Sequence, residues 1–165
     1  MGPRLRLVSF VLVIGILLLG CGETTAPTPV TRIQVQIEVI EGTEADHPRV
    51  RAMATNVGET PTESRSFCSP LPIRIQTEDG TILRWGNPCL VDCREVVLEL
   101  QPGESHAREV GMLTEAWIDC TELAPVVPGT FTATARITYV PSGEAWGPEN
   151  IREAETTESF TWSED

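Results

Sequence analysis

The chain has 165 residues, with 24 acidic side chains against 12 basic ones and a formal net charge of −12 at pH 7. Its negative charge argues against nucleic acid or an anionic lipid surface as a partner, because both would repel it. The length is sufficient for one domain with a real hydrophobic core.

The N-terminus has the layout of an export signal. Arg4 and Arg6 precede an almost wholly apolar run from Leu7 to Leu19, and the small residue Gly20 follows. A charged start, a short apolar core and a small residue before the cleavage point are typical of a secretory signal. A helix over this run would span about 20 Å, short of the roughly 30 Å hydrocarbon core, which disfavours an uncleaved membrane anchor. We therefore predict a signal peptide over residues 1–20.

The motif Leu18-Leu19-Gly20-Cys21 resembles the lipobox of bacterial lipoproteins. That resemblance implies that the Cys21 thiol is lipidated and that Cys21 becomes the new N-terminus. The protein would then be anchored through the acylated Cys21, at the outer membrane or the outer face of the plasma membrane. Loss of both signal arginines leaves a formal charge of −14 on the remaining chain.

Residues 21–31 combine the lipidated cysteine with a segment rich in Pro and Thr, which is typical of a flexible linker. Ten extended residues reach at most about 35 Å, so the linker would hold the domain near the bilayer. An ordered lead-in to the first strand is the alternative. The remaining residues, 32–165, form the predicted domain.

That domain has the pattern of strands throughout. Apolar residues alternate with polar ones, and turn signals such as Asn56-Val57-Gly58, Asp79-Gly80 and Pro102-Gly103 recur every 8–15 residues. The predicted strands cover residues 33–39, 50–54, 73–76, 81–85, 96–100, 106–113, 131–139 and 155–162. No segment shows a 3.6-residue apolar stripe of helical length. We therefore predict an all-β antiparallel sandwich of about seven or eight strands, with a closed barrel as the alternative.

Four cysteines follow Cys21, namely Cys68, Cys89, Cys93 and Cys120. An even number in an exported domain predicts two disulfides. The rival is a zinc site with four thiolate ligands, but such sites usually show two close pairs and here only Cys89 and Cys93 are close. We expect disulfides, no metal and no cofactor.

A simple strand map gives those cysteines a common location. With consecutive strands running alternately up and down, the loops at 57–66, 87–93 and 117–128 fall at one end, and all four cysteines lie there. The favoured pairing joins Cys68 to Cys89 and Cys93 to Cys120. The two other pairings are Cys89–Cys93 with Cys68–Cys120, and Cys68–Cys93 with Cys89–Cys120. Two disulfides at one end of the domain indicate either a functional surface or loops that the bridges protect against proteolysis.

About half of the chain resembles a known family. The order of turns and aromatic residues is similar to that of the BsuPI-type intracellular proteinase inhibitor family, whose domain is an immunoglobulin-like β-sandwich. The motifs that carry the resemblance are Thr55-Asn56-Val57-Gly58, Asp79-Gly80, Trp85, Leu100-Gln101-Pro102-Gly103-Glu104, Trp117 and Pro128-Gly129-Thr130-Phe131-Thr132-Ala133. The resemblance implies an immunoglobulin-like fold and, as one possible function, protease inhibition. The export signal and the cysteine-bearing segments depart from the family pattern.

No catalytic constellation is visible in the sequence. The chain has two histidines, His47 and His106, and both fall near polar turns, where we expect surface residues. Ser105 and His106 are adjacent, but neighbours on a strand point to opposite faces and do not form a nucleophile–base pair. We therefore predict a membrane-anchored, extracytoplasmic, non-catalytic binding or scaffold domain for a protein or peptide. The alternative is a proteinase inhibitor whose disulfide-stapled loops enter an active-site cleft.

Overall fold

The computed structural model describes residues 30–41, 47–85, 93–118 and 122–163. Every regular element in these residues is a β-strand, and none of them forms a helix long and apolar enough to cross a membrane. The strands are β1 (Ile33–Ile40), β2 (Arg49–Asn56), β3 (Thr62–Phe67), β4 (Ile73–Thr77), β5 (Ile82–Arg84), β6 (Glu95–Leu100), β7 (Ser105–Gly111), β8 (Glu115–Ile118), β9 (Glu122–Pro125), β10 (Gly129–Pro141) and β11 (Arg152–Trp162).

These strands form two antiparallel sheets that pack face to face. The smaller sheet has the order β1-β2-β7, and the larger one has the order β6-β3-β10-β4-β5-β8-β9, with β11 also paired to β10. The predicted fold class, an all-β antiparallel sandwich, is confirmed, and the described residues form eleven strands instead of the predicted seven or eight. The long strand β10 is central, because it pairs with β11, β4 and β3.

The core follows the alternation visible in the sequence. Val50, Ala52 and Ala54 of β2 are fully buried, and they face the inward side chains of β10 from Phe131 to Tyr139. The backbone N–H of Ile33 donates to the Tyr139 hydroxyl over 3.2 Å, which joins the two sheets across the core. The predicted dry faces of β2 and β10 are therefore confirmed.

Three strands have no counterpart in the sequence prediction: β3, β8 and β9. The inward side chains of β3 include Thr62 and Ser64, which are buried although they are polar, so the strand shows no apolar alternation. Each of β8 and β9 has four residues, too few for a period of two to stand out. A hydrophobic period detects a strand only where the buried side chains are apolar.

The direction of β6 differs from the alternating strand map. Strand β5 is antiparallel to β4, and β6 is antiparallel to β3. Because β3 and β4 are both antiparallel to β10, β5 and β6 run in the same direction. As a result the Pro102-Gly103 turn lies beside Asn56, and not at the Asp79-Gly80 end. The strand ends that flank Cys120, at Ile118 and Glu122, lie on the Asp79-Gly80 side of the sheet. The alternating strand map is therefore wrong for β6, and because Cys89 and Cys120 lie outside the described residues, a common end for the four cysteines stays a prediction.

Asn56 forms the junction at which both sheets meet. Its side chain is fully buried, and its Nδ2 donates to the carbonyls of Thr60 and Leu100 over 2.8 and 2.9 Å. Its Oδ1 accepts from the N–H of Gly58, and its backbone bonds Gly103 and Glu104. One residue therefore connects the end of β2 to the ends of β3, β6 and β7, and its polar groups are satisfied.

We predict that Asn56→Ala lowers the free energy of unfolding by about 2–4 kcal/mol, because it leaves the buried Leu100 carbonyl, the half-buried Thr60 carbonyl and the Gly58 N–H without their partner. The measurement is urea denaturation of the full chain in a mild neutral detergent, followed by circular dichroism. Asn150→Ala is the matched control, since the Asn150 amide donates to one exposed carbonyl, that of Ala145. Equal losses in the two variants would contradict the structural role of Asn56.

Candidate functional site: the β3–β6 face

A disulfide joins the end of β3 to the start of β6. Cys68 and Cys93 are bonded through their Sγ atoms, and their Cα atoms lie 4.6 Å apart. The favoured pairing of Cys68 with Cys89 and Cys93 with Cys120 is therefore wrong. The reason is the direction of β6. Its ladder with β3 places Arg94 opposite Cys68, and the N–H of Cys68 donates to the Arg94 carbonyl over 3.2 Å. Cys93, the neighbour of Arg94, therefore lies beside Cys68.

Cys21, Cys89 and Cys120 lie outside the described residues. Lipidation of Cys21 and a second disulfide between Cys89 and Cys120 therefore stay predictions.

The backbone at Cys68 makes a tight turn that ends β3. Cys68 has φ = 71°, and the N–H of Ser69 donates to the Phe67 carbonyl over 2.9 Å. This is a γ-turn with positive φ, a rare and strained conformation for a residue with a side chain. The disulfide formed by Cys68 itself constrains this turn. The turn leads the chain inward to Ser69, Pro70 and Leu71, which are buried, while Phe67 stays outside.

Phe67 belongs to a surface that we name the β3–β6 face. Ladder partners share a face in an antiparallel pair, so the outward side chains of the two strands form three cross-strand pairs. These pairs are Glu63–Glu99, Arg65–Val97 and Phe67–Glu95, and Trp146 from the β10–β11 loop completes the face. Phe67 is 72% exposed and Val97 is 55% exposed.

One end of this face is ordered by Trp146, Glu63 and Arg65. The Trp146 indole Nε1–H and the Arg65 Nε–H both donate to Oε1 of Glu63, over 2.9 and 2.6 Å. The Arg65 guanidinium lies 5.8 Å from the centre of the Trp146 ring, within the range of a cation–π contact. The three side chains therefore hold one another in place at the surface.

These contacts also change the proton affinity of Glu63. The hydrogen bond from Arg65 is the largest cause, and the bond from Trp146 adds to it, so the pKa of the Glu63 carboxyl is lowered. The pKa of Arg65 is raised, mainly by its hydrogen bond to Glu63. The trio is therefore ionised and bonded at neutral pH, and it loses its bonds as the pH falls through the lowered pKa of Glu63.

The two histidines lie apart from this face. His47 is half-buried, with its ring edge-on to Trp162 at 5.3 Å. His106 is half-buried on β7 opposite Ala54, whereas the adjacent Ser105 bonds the Thr55 hydroxyl over 2.8 Å. Ser105 and His106 therefore point to opposite faces and do not bond each other.

A cleft of about 570 Å³ opens between β1 and β11. Its lining contains neither histidine nor cysteine, and consists of Val35, Gln36, Ile37, Glu38, Arg51, Met53, Thr156 and Glu158. Among the residues described, no group of three or more His, Cys, Asp or Glu side chains converges on a point that could hold a metal ion.

Sequence reasoning missed the β3–β6 face. The segment Thr62–Phe67 reads as a polar loop, and nothing in it marks Phe67 as exposed. The adjacency of Phe67 to Cys68 was the one available signal, since a residue next to a disulfide in a loop is held rigidly.

No protein-family model matches the chain, and no curated protein matches it. Among solved structures, the chain is similar to the crystal structure of a protein described as ApaA from Bordetella pertussis. The sequences are 14% identical, the match covers 78% of this chain and 92% of the other, and the TM-score is 0.39. A likeness of this extent carries no conclusion about function.

We predict that the disulfide can be read directly from a peptide map. Digestion of the unreduced chain with trypsin and an Asp-N protease separates Cys89, in residues 85–91, from Cys93, in residues 92–94. Mass spectrometry should then find residues 66–74 joined to residues 92–94. Recovery of residues 66–74 joined to 85–91 would contradict the Cys68–Cys93 bond and restore the pairing first favoured.

We also predict that the Trp146 indole N–H resonance titrates with Glu63, at a pH below the usual range of a glutamate. The measurement is a proton–nitrogen NMR titration of the full chain. Arg65→Ala should move the midpoint upward, because the largest cause of the lowered pKa is lost. Arg49→Ala is the control, since it removes a different exposed pair, Arg49–Glu109, and should leave the midpoint unchanged. An unchanged midpoint in Arg65→Ala would refute the coupling.

Proposed function

We propose that this chain is a lipid-anchored, extracytoplasmic lipoprotein that acts as a non-catalytic binding module and holds a protein or peptide partner on the β3–β6 face. The observation that carries the proposal is the exposure of Phe67 beside Val97, Arg65 and Trp146 on a rigid frame. Aromatic residues and arginine dominate the energetics of protein interfaces.

The rigidity of the frame supports a binding function. The β3–β6 pair is connected to the Asn56 junction at one end and cross-linked by Cys68–Cys93 at the other. Side chains that are already ordered lose little conformational entropy when a partner arrives. The Glu63–Arg65–Trp146 trio adds to this order, because its three side chains are fixed before binding.

The place where the chain enters the domain is consistent with the proposed tether. Ile33, the first residue of β1, pairs with Asn56, and the preceding residues 30–32 bond the Val57–Glu59 turn. A lipid on Cys21 and a linker of about ten residues would therefore hold the Asn56 end within about 35 Å of the bilayer. The β3–β6 face starts at that same end, so we propose that the partner is bound close to the membrane.

Loss of the exposed aromatic ring tests the binding face. The full chain is mixed with solubilised membranes of the native host, cross-linked, and its captured proteins are quantified by mass spectrometry. Phe67→Ala should lower capture of the specific partner about tenfold, as expected for a central aromatic contact. Val127→Ala is the control, because Val127 is similarly exposed, at 68%, in the connection between β9 and β10.

The opposite pattern, with capture lost in Val127→Ala and kept in Phe67→Ala, would contradict the proposed face. Potent, stoichiometric inhibition of an extracellular protease by the full chain would instead support the inhibitor function that the family resemblance implies.

The anchor has a separate test. We predict that Cys21→Ala moves the chain out of the lipid-anchored membrane fraction, because the thiol that would carry the lipid is lost. Incorporation of a labelled fatty acid is measured alongside fractionation. Unchanged fractionation and unchanged label would rule out lipidation at Cys21.

A further inference from the structure

We infer that the free edge of β6 adds one extended peptide strand from the partner, and that it selects a segment in which two basic residues flank an apolar one. The inference rests on the proposed binding function and names the chemistry of the partner. The order of side chains selected would be basic-x-apolar-x-basic.

Among the described residues, the backbone groups on the outer edge of β6 have no partner in another strand. Within the parts of the chain that the structure describes, β6 pairs with β3 and with no other strand. The N–H of Cys68 bonds the Arg94 carbonyl, so by the antiparallel alternation residues 96, 98 and 100 turn their backbone groups toward β3. The N–H and C=O groups of Glu95, Val97 and Glu99 therefore point to the open side. Such a row is a template for another strand.

Two other edges of the sandwich, β9 and β7, carry features that discourage strand addition. Strand β9 has four residues and ends in Pro125, and the middle of β7 carries the charged pair Arg108 and Glu109. Proline and central charges are common ways of blunting an edge. In β6, by contrast, three apolar residues, Val96 to Leu98, run without interruption between Glu95 and Glu99.

The same glutamates disfavour a second copy of this chain as the occupant. In the antiparallel register centred on Val97, each Val97 would face its counterpart and each Glu95 would stand opposite a Glu99. Like charges directly opposite each other destabilise a strand pair. The overall negative charge of the chain adds to that repulsion.

A basic peptide segment would be attracted to the edge of β6, whereas a second copy of the chain would be repelled by it. The β3–β6 face carries three carboxylates, on Glu63, Glu95 and Glu99, against the single guanidinium of Arg65. In an added antiparallel strand, the residues opposite Glu95 and Glu99 lie on the same face as these carboxylates, with one residue opposite Val97 between them. Lys or Arg at the outer two positions and an apolar residue at the middle one complement the strand.

The experiment uses the isotope-labelled full chain in neutral detergent micelles and the synthetic peptide acetyl-Thr-Lys-Thr-Val-Thr-Lys-Thr-amide. We expect the peptide to shift the NMR amide signals of Glu95, Val97 and Glu99. It should bind about tenfold more tightly than the same peptide with Glu in place of Lys, because of two opposite-charge cross-strand pairs. N-methylation of its valine should weaken binding about fivefold or more, because a backbone hydrogen bond is lost while the charges stay.

Charge reversal in the protein gives a second, independent measurement. The double variant Glu95→Lys with Glu99→Lys should invert the preference toward the acidic peptide. The double variant Glu155→Lys with Glu158→Lys on β11 changes the net charge equally and should keep the basic preference.

Four results would overturn the inference. They are signals that shift at another edge, equal binding of the acidic and basic peptides, no effect of N-methylation, and no binding at millimolar peptide. Dimerisation of the native chain through β6, seen by analytical ultracentrifugation, would also overturn it in favour of a second copy.

The inference and the proposed function can fail separately. If Phe67→Ala loses the membrane partner while the Glu95→Lys and Glu99→Lys variant keeps it, the binding face stands and strand addition at β6 is wrong. If neither variant affects partner capture, the proposed face itself is wrong, whatever the peptides do.

Discussion

The buried amide of Asn56 is the constraint on which the rest of the structure depends. A buried amide must find partners for its donors and its acceptor, because an unmade bond in the core costs about 1–3 kcal/mol. Asn56 meets that requirement with the carbonyls of Thr60 and Leu100 and the N–H of Gly58. These bonds bring the end of β6 to the start of β3. They are compatible with one direction for β6, and that direction places Cys93 beside Cys68.

The exposed β3–β6 face follows from the placement of Cys93 beside Cys68. With β3 and β6 joined at both ends, the chain can leave β3 through the strained turn at Cys68, and the disulfide stabilises that turn. The turn separates Phe67, which stays exposed, from Leu71, which packs in the core three residues after the bridge. Strain of this kind persists where the surroundings enforce it, and it often accompanies a functional surface. The Cys68–Cys93 bridge thus closes one end of the β3–β6 ladder.

Much of the fold could be predicted from the sequence because its buried side chains are apolar and regularly spaced. The alternation in β2 and β10 identified both strands and their inward faces, and Asp79-Gly80 identified a hairpin. Strand β3 was not identified, since Thr62 and Ser64 occupy its buried positions. The disulfide was assigned wrongly for a different reason. Local pattern carries no information on strand direction, and the long-range bonds of Asn56 that accompany the observed direction of β6 involve a residue recognised only as part of a turn.

The central claim is that a partner binds where the Cys68–Cys93 bridge presents Phe67, and site-specific photo-crosslinking tests it most directly. A photoreactive phenylalanine analogue replaces Phe67 in the full chain expressed in its native host, and replaces Leu123, an exposed residue of β9, in a parallel culture. On illumination, the probe at position 67 should give a discrete cross-linked species, and the probe at position 123 should give none. A cross-link from position 123 with none from position 67 would contradict the account.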